Sequence, residues 1–214
     1  MFLKNLLVGL LTVVSLVVTP LAVNNHITFN TKQDYSQIRA ATRLLYIDGV
    51  GNGSGVMIAP NRMLTAGHVA AQDSDFSPLM LGTKRINILR VNQELDLALL
   101  EVDNGCPCVP LGTLPRVDSD LVLVGFPTND TLRTQILTLG QYQGITTPTN
   151  LVVSTSPGAP GNSGGGLFYQ RDGKWYLVGI LIQGAGTTIF GMYPQMIFHL
   201  TMSVHPDTIR EFLK

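Results

Sequence analysis

Short apolar runs separated by turn-forming residues extend along most of this chain, and this spacing constrains the fold more than any other feature. The 214 residues include 22 Gly and 12 Pro. Both residue types favour turns and leave few stretches long enough for helices. The sequence therefore predicts an all-β fold of antiparallel strands, and its 45% of apolar residues can supply a core.

The predicted strands form two groups. The first group comprises residues 42–47, 54–58, 63–65, 85–91 and 97–102. The second comprises residues 121–126, 131–142, 151–154, 166–169, 175–183 and 191–196. A stretch rich in Pro, Gly and Asp separates the groups. We therefore expect an N-terminal β-domain over residues 40–104, a connection over 105–118 and a C-terminal β-domain over 119–205.

The N-terminal residues have a different composition from the rest. Lys4 precedes an apolar stretch from residue 6 to 23, a pattern typical of an export signal. We expect residues 1–23 to be removed as a signal peptide, with retention as an N-terminal membrane anchor as the alternative. Residues 24–39 read as a polar lead-in segment. The protein is thus expected to be exported, and either secreted or tethered to the outer face of a membrane.

The last residues have the pattern of a helix. Pro206 opens a segment in which Ile209, Phe212 and Leu213 recur at helical spacing. We expect a short C-terminal helix over residues 206–214.

Charge and cysteine content narrow the range of partners. The formal net charge is zero and 13% of the residues are charged, so nothing favours electrostatic binding of nucleic acid. Cys106 and Cys108 are separated by one residue, which makes a disulfide between them geometrically awkward. Two thiols also supply only half of a tetrahedral metal site. We expect no metal, no cofactor and no membrane contact beyond an uncleaved N-terminal segment.

Three short motifs carry residues that could do chemistry. His68 follows an apolar run and a small-residue turn, and Asp96 directly precedes the apolar run that begins at Leu97. A buried carboxylate needs a donor, and a histidine N–H can supply one. Taken singly, His68 could be a structural histidine and Asp96 a turn residue.

The third motif is glycine-rich. Ser163 lies within Gly161-Asn162-Ser163-Gly164-Gly165-Gly166. Such a turn lets the backbone approach a substrate closely and bring its N–H groups together. Ser163 could then attack a carbonyl while the N–H groups of Gly161 and Ser163 hold the developing oxyanion. A flexible glycine-rich loop is the alternative for this motif alone.

Together the three motifs resemble the trypsin and chymotrypsin superfamily, whose TAGH, D-[LI]-A-L and GNSGG elements match at residues 65–68, 96–99 and 161–165. The resemblance is nearest to the disulfide-free bacterial and phage branches. It implies two antiparallel six-stranded β-barrels of the chymotrypsin-like kind, with a site in the cleft between them. It also implies a serine endopeptidase acting on polypeptides through an acyl-enzyme intermediate.

The resemblance also assigns roles. Ser163 would be the nucleophile, His68 the general base and then acid, and Asp96 the group that orients the imidazole. Gly161 and Ser163 would form the oxyanion hole. The alternative function is a catalytically silent trypsin-like domain that serves as a protein-binding module.

A second kind of hydrolase shares part of the pattern. Residues 161–165 also satisfy G-x-S-x-G, the nucleophile elbow of α/β-hydrolases. That fold requires the order Ser, acid, His, whereas this chain has His68, Asp96 and then Ser163. His199 and His205 are the other histidines that follow Ser163 closely enough to be considered, and both are expected to lie at the surface.

The resemblance further implies which residues line the substrate pocket. The expected lining is Pro157, Gly158, Leu181, Ile182, Gln183, Gly184, Gly191 and Tyr193. None of these side chains is charged, and an unpaired buried cation or anion would be costly there. We therefore expect cleavage after uncharged apolar residues of moderate or large size, with Tyr193 able to shorten the pocket.

Overall fold

The computed structural model describes residues 33–47, 51–103, 105, 107–128, 134–189 and 195–214. Residues 34–214 belong to one compact unit. The predicted export segment, residues 1–23, lies outside the described residues. Within the described ranges, no helix is long and apolar enough to cross a membrane.

The first half of the chain forms one curled, seven-stranded antiparallel sheet. Its strands are β1 Thr42–Ile47, β2 Gly51–Ala59, β3 Arg62–Ala66, β4 Leu79–Leu81, β5 Lys84–Arg85, β6 Asn87–Asn92 and β7 Leu97–Glu101. Their order across the sheet is β5-β4-β1-β2-β3-β7-β6. The predicted strands of this half are confirmed to within a few residues, and β4 and β5 are additional.

The second half forms a closed six-stranded barrel. Its strands are β8 Asp120–Gly125, β9 Ile136–Ile145, β10 Leu151–Ser154, β11 Gly166–Arg171, β12 Lys174–Ile189 and β13 Gln195–Val204. Their order around the barrel is β10-β13-β12-β11-β8-β9. Strand β12 is longer than predicted. Strand β13 follows the region where the last strand was expected, and most of that region lies outside the described residues.

Three short helices accompany the sheets: α1 Ser36–Ala41, α2 Gly67–Ala70 and α3 Pro206–Phe212. The predicted C-terminal helix is confirmed as α3. Pro206 occupies its first turn, and His205 Nδ1 accepts a hydrogen bond from the Asp207 N–H at 3.1 Å. Ile209 and Phe212 are buried, as the helical spacing predicts.

Helix α1 lies in the stretch predicted to be a polar lead-in and was not predicted. It is held by two buried side chains, Ile38 and Ala41, and by contacts just before its start. The Trp175 indole N–H donates to the Asp34 carbonyl at 2.9 Å, and the Tyr35 ring lies 5.6 Å from the Trp175 ring. These contacts attach the segment to the barrel of the second half.

The two halves share one hydrophobic core. A single cluster contains Val56 and Leu64 from the first sheet together with Val124 and Phe168 from the barrel. A smaller cluster lies within the barrel. Because apolar burial is the main stabilising contribution to folding, the halves are stabilised as one body.

One expectation about the connection was wrong. Cys108 is disulfide-bonded, although the close spacing of the two cysteines was expected to disfavour such a bond. Its bonding partner lies outside the described residues.

Candidate active site

The structure brings His68 and Asp96 into direct contact. His68 lies in α2, immediately after β3, and Asp96 lies in the turn before β7. His68 Nδ1 is 2.8 Å from Asp96 Oδ2 and 3.1 Å from Oδ1, and the His68 backbone N–H donates to Oδ1 at 2.7 Å. Strands β3 and β7 are paired, so the sheet itself places the two residues side by side.

Backbone geometry makes this contact close. A Cβ at Gly67 would lie 3.0–3.1 Å from backbone atoms of Asn92, Asp96 and Leu97, so the turn before His68 has little room for a larger residue. Asp96 itself has a φ of 51°, in the left-handed region that aspartate tolerates better than most residues. The chain therefore accepts some backbone strain to present the carboxylate to the imidazole.

The ionised form of Asp96 is favoured in the folded protein. Burial raises the pKa of this carboxyl, but the hydrogen bonds from the His68 ring and backbone, the His68 charge and the Gly67 N–H outweigh burial and lower the pKa below its usual value. An ionised carboxylate only accepts hydrogen bonds. His68 Nδ1 must therefore carry a proton in this pair, and in the neutral form of the imidazole Nε2 then has a free lone pair.

The glycine-rich turn packs against the strand ends that carry His68. The Ser54 N–H donates to the Ser163 carbonyl at 2.8 Å. A Cβ at Gly164 would lie 2.0 Å from the Ser54 carbonyl and 2.2 Å from Thr65 Oγ1. A Cβ at Gly53 would meet both the Val69 side chain and the Ser163 carbonyl. Glycine is thus required where the two halves meet, and the contact places Ser163 beside the turn of His68.

Sequence reasoning missed Ser54, which joins the two halves at this point. Its hydroxyl donates to the Gly161 carbonyl and accepts from the Phe126 N–H, both at 2.9 Å. Thr65 Oγ1 donates to the Ser54 carbonyl at 2.7 Å. Ser54 is fully buried. The available signal for the role of Ser54 was that it lies between two glycines, Gly53 and Gly55, in a strand whose neighbouring residues are buried.

Two backbone N–H groups of the turn have no acceptor in the described part of the chain. The Asn162 N–H bonds the Ala159 carbonyl and the Gly164 N–H bonds the Leu181 carbonyl, at 3.1 and 2.7 Å. The N–H groups of Gly161 and Ser163 donate to no described group. Gly161 has a φ of 89°, a conformation that favours glycine. These are the two groups that the sequence assigns to an oxyanion hole.

The Ser163 hydroxyl makes no hydrogen bond to His68 among the described residues. Catalytic hydrogen bonds are often long without substrate and tighten when it binds. Ser163 is half-buried and the His68 side chain is 44% exposed, so both remain open to a ligand.

The structure shows what most of the predicted pocket residues contact. The Pro157 carbonyl accepts from Thr138 Oγ1 at 2.7 Å, which fixes the start of the glycine-rich turn. The Leu181 side chain is buried in the barrel core, and only its backbone reaches the turn, at Gly164 and Gly165. Ile182 packs against the shared core, and Gln183 contacts Met202. Gly191 and Tyr193 lie outside the described residues.

Gly158 and Gly184 meet a residue that the sequence analysis did not select for the pocket. The Gly158 and Phe198 backbones bond each other in both directions, at 3.2 and 2.7 Å. A Cβ at Gly184 would lie 2.3–2.7 Å from Phe198 side-chain atoms, and one at Gly158 would lie 3.5 Å from them. The Phe198 ring therefore fills the space beside both glycines.

The other two histidines of the described residues lie elsewhere. His205 caps α3, as described above, and His199 is an exposed residue of β13.

Comparison with solved structures identifies the fold. The HtrA-type protease AlgW with tripeptide is 26% identical, with a TM-score of 0.62, over 84% of this chain and 62% of that chain. A variant of AlgW, also with a tripeptide, is 24% identical, with a TM-score of 0.63, over 83% and 60%. A serine endoprotease from Yersinia pestis is 22% identical, with a TM-score of 0.62, over 85% and 65%. These likenesses confirm the chymotrypsin-like fold.

This chain covers only 60–65% of the length of those three structures. No curated protein matches its sequence significantly. The family model of the trypsin-like peptidase domain matches residues 53–180, which include His68, Asp96 and Ser163. That match covers more than half of the chain, which therefore belongs to the family of trypsin-like peptidase domains.

Proposed function

We propose that the protein is a serine endopeptidase that uses Ser163, His68 and Asp96. The observation that carries this proposal is the His68–Asp96 contact of 2.8 Å beside a turn that presents Ser163. Family membership supports it. Each residue has a role that its surroundings favour.

Proton transfer follows from the orientation of the imidazole. With Nδ1–H donated to Asp96, His68 Nε2 accepts the Ser163 proton as Oγ attacks the peptide carbonyl. His68 then gives that proton to the departing amine, and an ester to Ser163 remains. Water, deprotonated by the same Nε2, hydrolyses the ester, and the proton returns to Ser163.

The N–H groups of Gly161 and Ser163 stabilise the tetrahedral intermediates. They have no acceptor among the described residues, so they can bind the developing oxyanion without giving up another bond. One such donor contributes about 3 to 4 kcal/mol to transition-state stabilisation in comparable enzymes.

We further propose cleavage after small uncharged apolar residues. The sequence favoured moderate or large residues because Gly184 and Gly191 lack side chains that would close the pocket. The Phe198 ring lies against Gly184 and Gly158. A side chain that enters between them meets an apolar ring and no charge, which favours alanine or valine over phenylalanine, arginine or glutamate.

A fluorophosphonate probe tests the proposed activity. We expect it to label the purified protein, and expect Ser163→Ala to abolish labelling because the nucleophile is lost. Ser203→Ala, which alters a buried serine of β13, is the matched control and should label normally. Absence of labelling in the unaltered protein would favour the binding-module alternative, and labelling of Ser163→Ala would place the nucleophile elsewhere.

A further inference from the structure

A cavity of about 430 Å³ lies between the first sheet and the start of the second half. His68, Asp96 and Ser163 are not among its lining residues. The lining combines cationic and apolar side chains, and those that bear on its ligand are Arg39, Arg43, Leu44, Leu81, Phe126 and Gln135. A volume of this size is typical of small-molecule sites.

Arg43 is an unusual residue for its position. It lies opposite Gly55 across β1 and β2, and opposite residues share a sheet face. A Cβ at Gly55 would meet Met63 and Leu45, both core residues, so this face is the interior one. Arg43 Nε is buried and has no hydrogen-bond partner among the described residues. A buried N–H donor without an acceptor is costly, so a ligand that supplies an acceptor would be favoured there.

Arg39 adds a second guanidinium to the same cavity. It donates to Gln135 Oε1 at 3.4 Å, and Gln135 Nε2 donates to the Arg39 and Thr42 carbonyls at 2.8 and 3.0 Å. Gln135 thereby fixes this wall from the second half. Among the described residues neither Arg39 nor Arg43 forms an ion pair, whereas Arg62, Arg85 and Arg210 all do.

The apolar lining selects among anions. Leu44, Leu81 and Phe126 line the same cavity, so an anion with an apolar body suits it better than a bare inorganic ion. The planar fork of a guanidinium matches a carboxylate in a bidentate manner. We propose that this cavity binds the carboxylate of a small organic acid with an apolar side chain, between Arg39 and Arg43.

Isothermal titration calorimetry with N-acetyl-L-leucine tests the site. The protein carries Ser163→Ala throughout, so that the result does not depend on peptidase activity. We expect a dissociation constant on the order of 1 mM or below. N-acetyl-L-leucinamide, which lacks the carboxylate, should bind at least about tenfold more weakly.

Arginine variants locate the binding. Arg43→Met should weaken binding of N-acetyl-L-leucine at least about tenfold, because the buried donor is lost. Arg39→Met changes an exposed side chain, so it keeps the fold and should weaken binding several-fold. Arg116→Met removes an exposed charge outside the cavity and should leave binding unchanged.

Three results would overturn the proposal. The first is that N-acetyl-L-leucine gives no heat of binding with the protein whose cavity is unaltered. The second is that both Arg39→Met and Arg43→Met bind it as tightly as that protein does. The third is inorganic phosphate binding as tightly as N-acetyl-L-leucine, which would remove the role of the apolar lining.

Discussion

Asp96 illustrates how single residues at this site are stabilised by what they contact. Its carboxylate is 25% exposed, and burial alone would favour protonation. Donors from His68 and Gly67 reverse that preference and lower its pKa. The same contacts orient the imidazole, so one set of hydrogen bonds supports both stability and the proposed catalysis.

The lowered pKa of Asp96 predicts a pH dependence of stability. A carboxyl whose folded-state pKa is below its unfolded value stabilises the protein above the unfolded value, which is about 3.9, and loses that contribution as pH falls through the folded pKa. Asp96→Asn cannot ionise. We therefore expect the free energies of unfolding of the two proteins to differ more near pH 6 than at about pH 3.

Urea unfolding at both pH values measures this difference. Asp75→Asn is the matched control, because Asp75 is 93% exposed and pairs only with Arg85 at 3.3 Å. Its effect on unfolding should be small at both pH values. A gap between unaltered protein and Asp96→Asn that grows on acidification would contradict the assignment.

Each motif residue could be predicted from its own stretch of sequence, but the residues that support the motifs could not. His68, Asp96 and Ser163 each lie in a short motif whose chemistry is visible in the sequence. Ser54 bonds Gly161, which is more than 100 positions away in the sequence. Phe198 bonds Gly158, which is about 40 positions away. Such contacts depend on how strands pair, and a single sequence does not display that pairing.

At the scale of elements, the glycine-rich turn that contains Ser163 depends on strand β2. Ser54 lies in β2, and its hydroxyl donates to the Gly161 carbonyl and accepts from the Phe126 N–H. This hydroxyl therefore connects β2 to the start of the turn. Removing the Ser54 hydroxyl leaves the Phe126 N–H and the Gly161 carbonyl without their hydrogen-bond partner.

Ser54→Ala should therefore lower the free energy of unfolding by about 1 to 3 kcal/mol. Ser203→Ala is the control, because the Ser203 hydroxyl is equally buried but has no hydrogen-bond partner. Chemical denaturation of both variants gives the comparison. Equal losses in the two would show that the Ser54 hydrogen bonds do not stabilise the fold.

Strand β13 determines the proposed substrate preference through a bulge. Its register against β12 shifts between Ala185 and Gly186, which pair with Leu200 and Phe198 and leave His199 as an extra residue. The sequence shows apolar residues here but not the bulge. The resemblance placed the pocket wall at Gly191 and Tyr193, which lie outside the described residues, and Phe198 was not selected.

Phe198→Ala should widen the pocket between Gly158 and Gly184. We expect the ratio of kcat/KM for cleavage after leucine or phenylalanine to that after alanine to rise by roughly tenfold or more, because larger side chains then find room. Leu200→Ala, an exposed position of the same strand, should leave the ratio unchanged. Profiling with a peptide library measures it, and an unaltered preference would exclude Phe198 from the pocket.

At the scale of the whole molecule, the two-part all-β architecture was predictable, but strand number was not. The barrel of the second half has the six strands that the resemblance implied, whereas the first half is a seven-stranded sheet. Strand β5 consists of Lys84 and Arg85, both exposed, so no apolar pattern marks it. Helix α1 was missed because it is short and only Ile38 and Ala41 of it are buried, so its apolar pattern is weak.

The distribution of the site between the halves has a consequence for biosynthesis. His68 and Asp96 belong to the first sheet, and Ser163 belongs to the second half. A chain synthesised from its N-terminus completes the imidazole and carboxylate first and adds the hydroxyl much later. Neither half alone contains the proposed set of three residues, so the proposed peptidase activity requires both halves to have folded and docked.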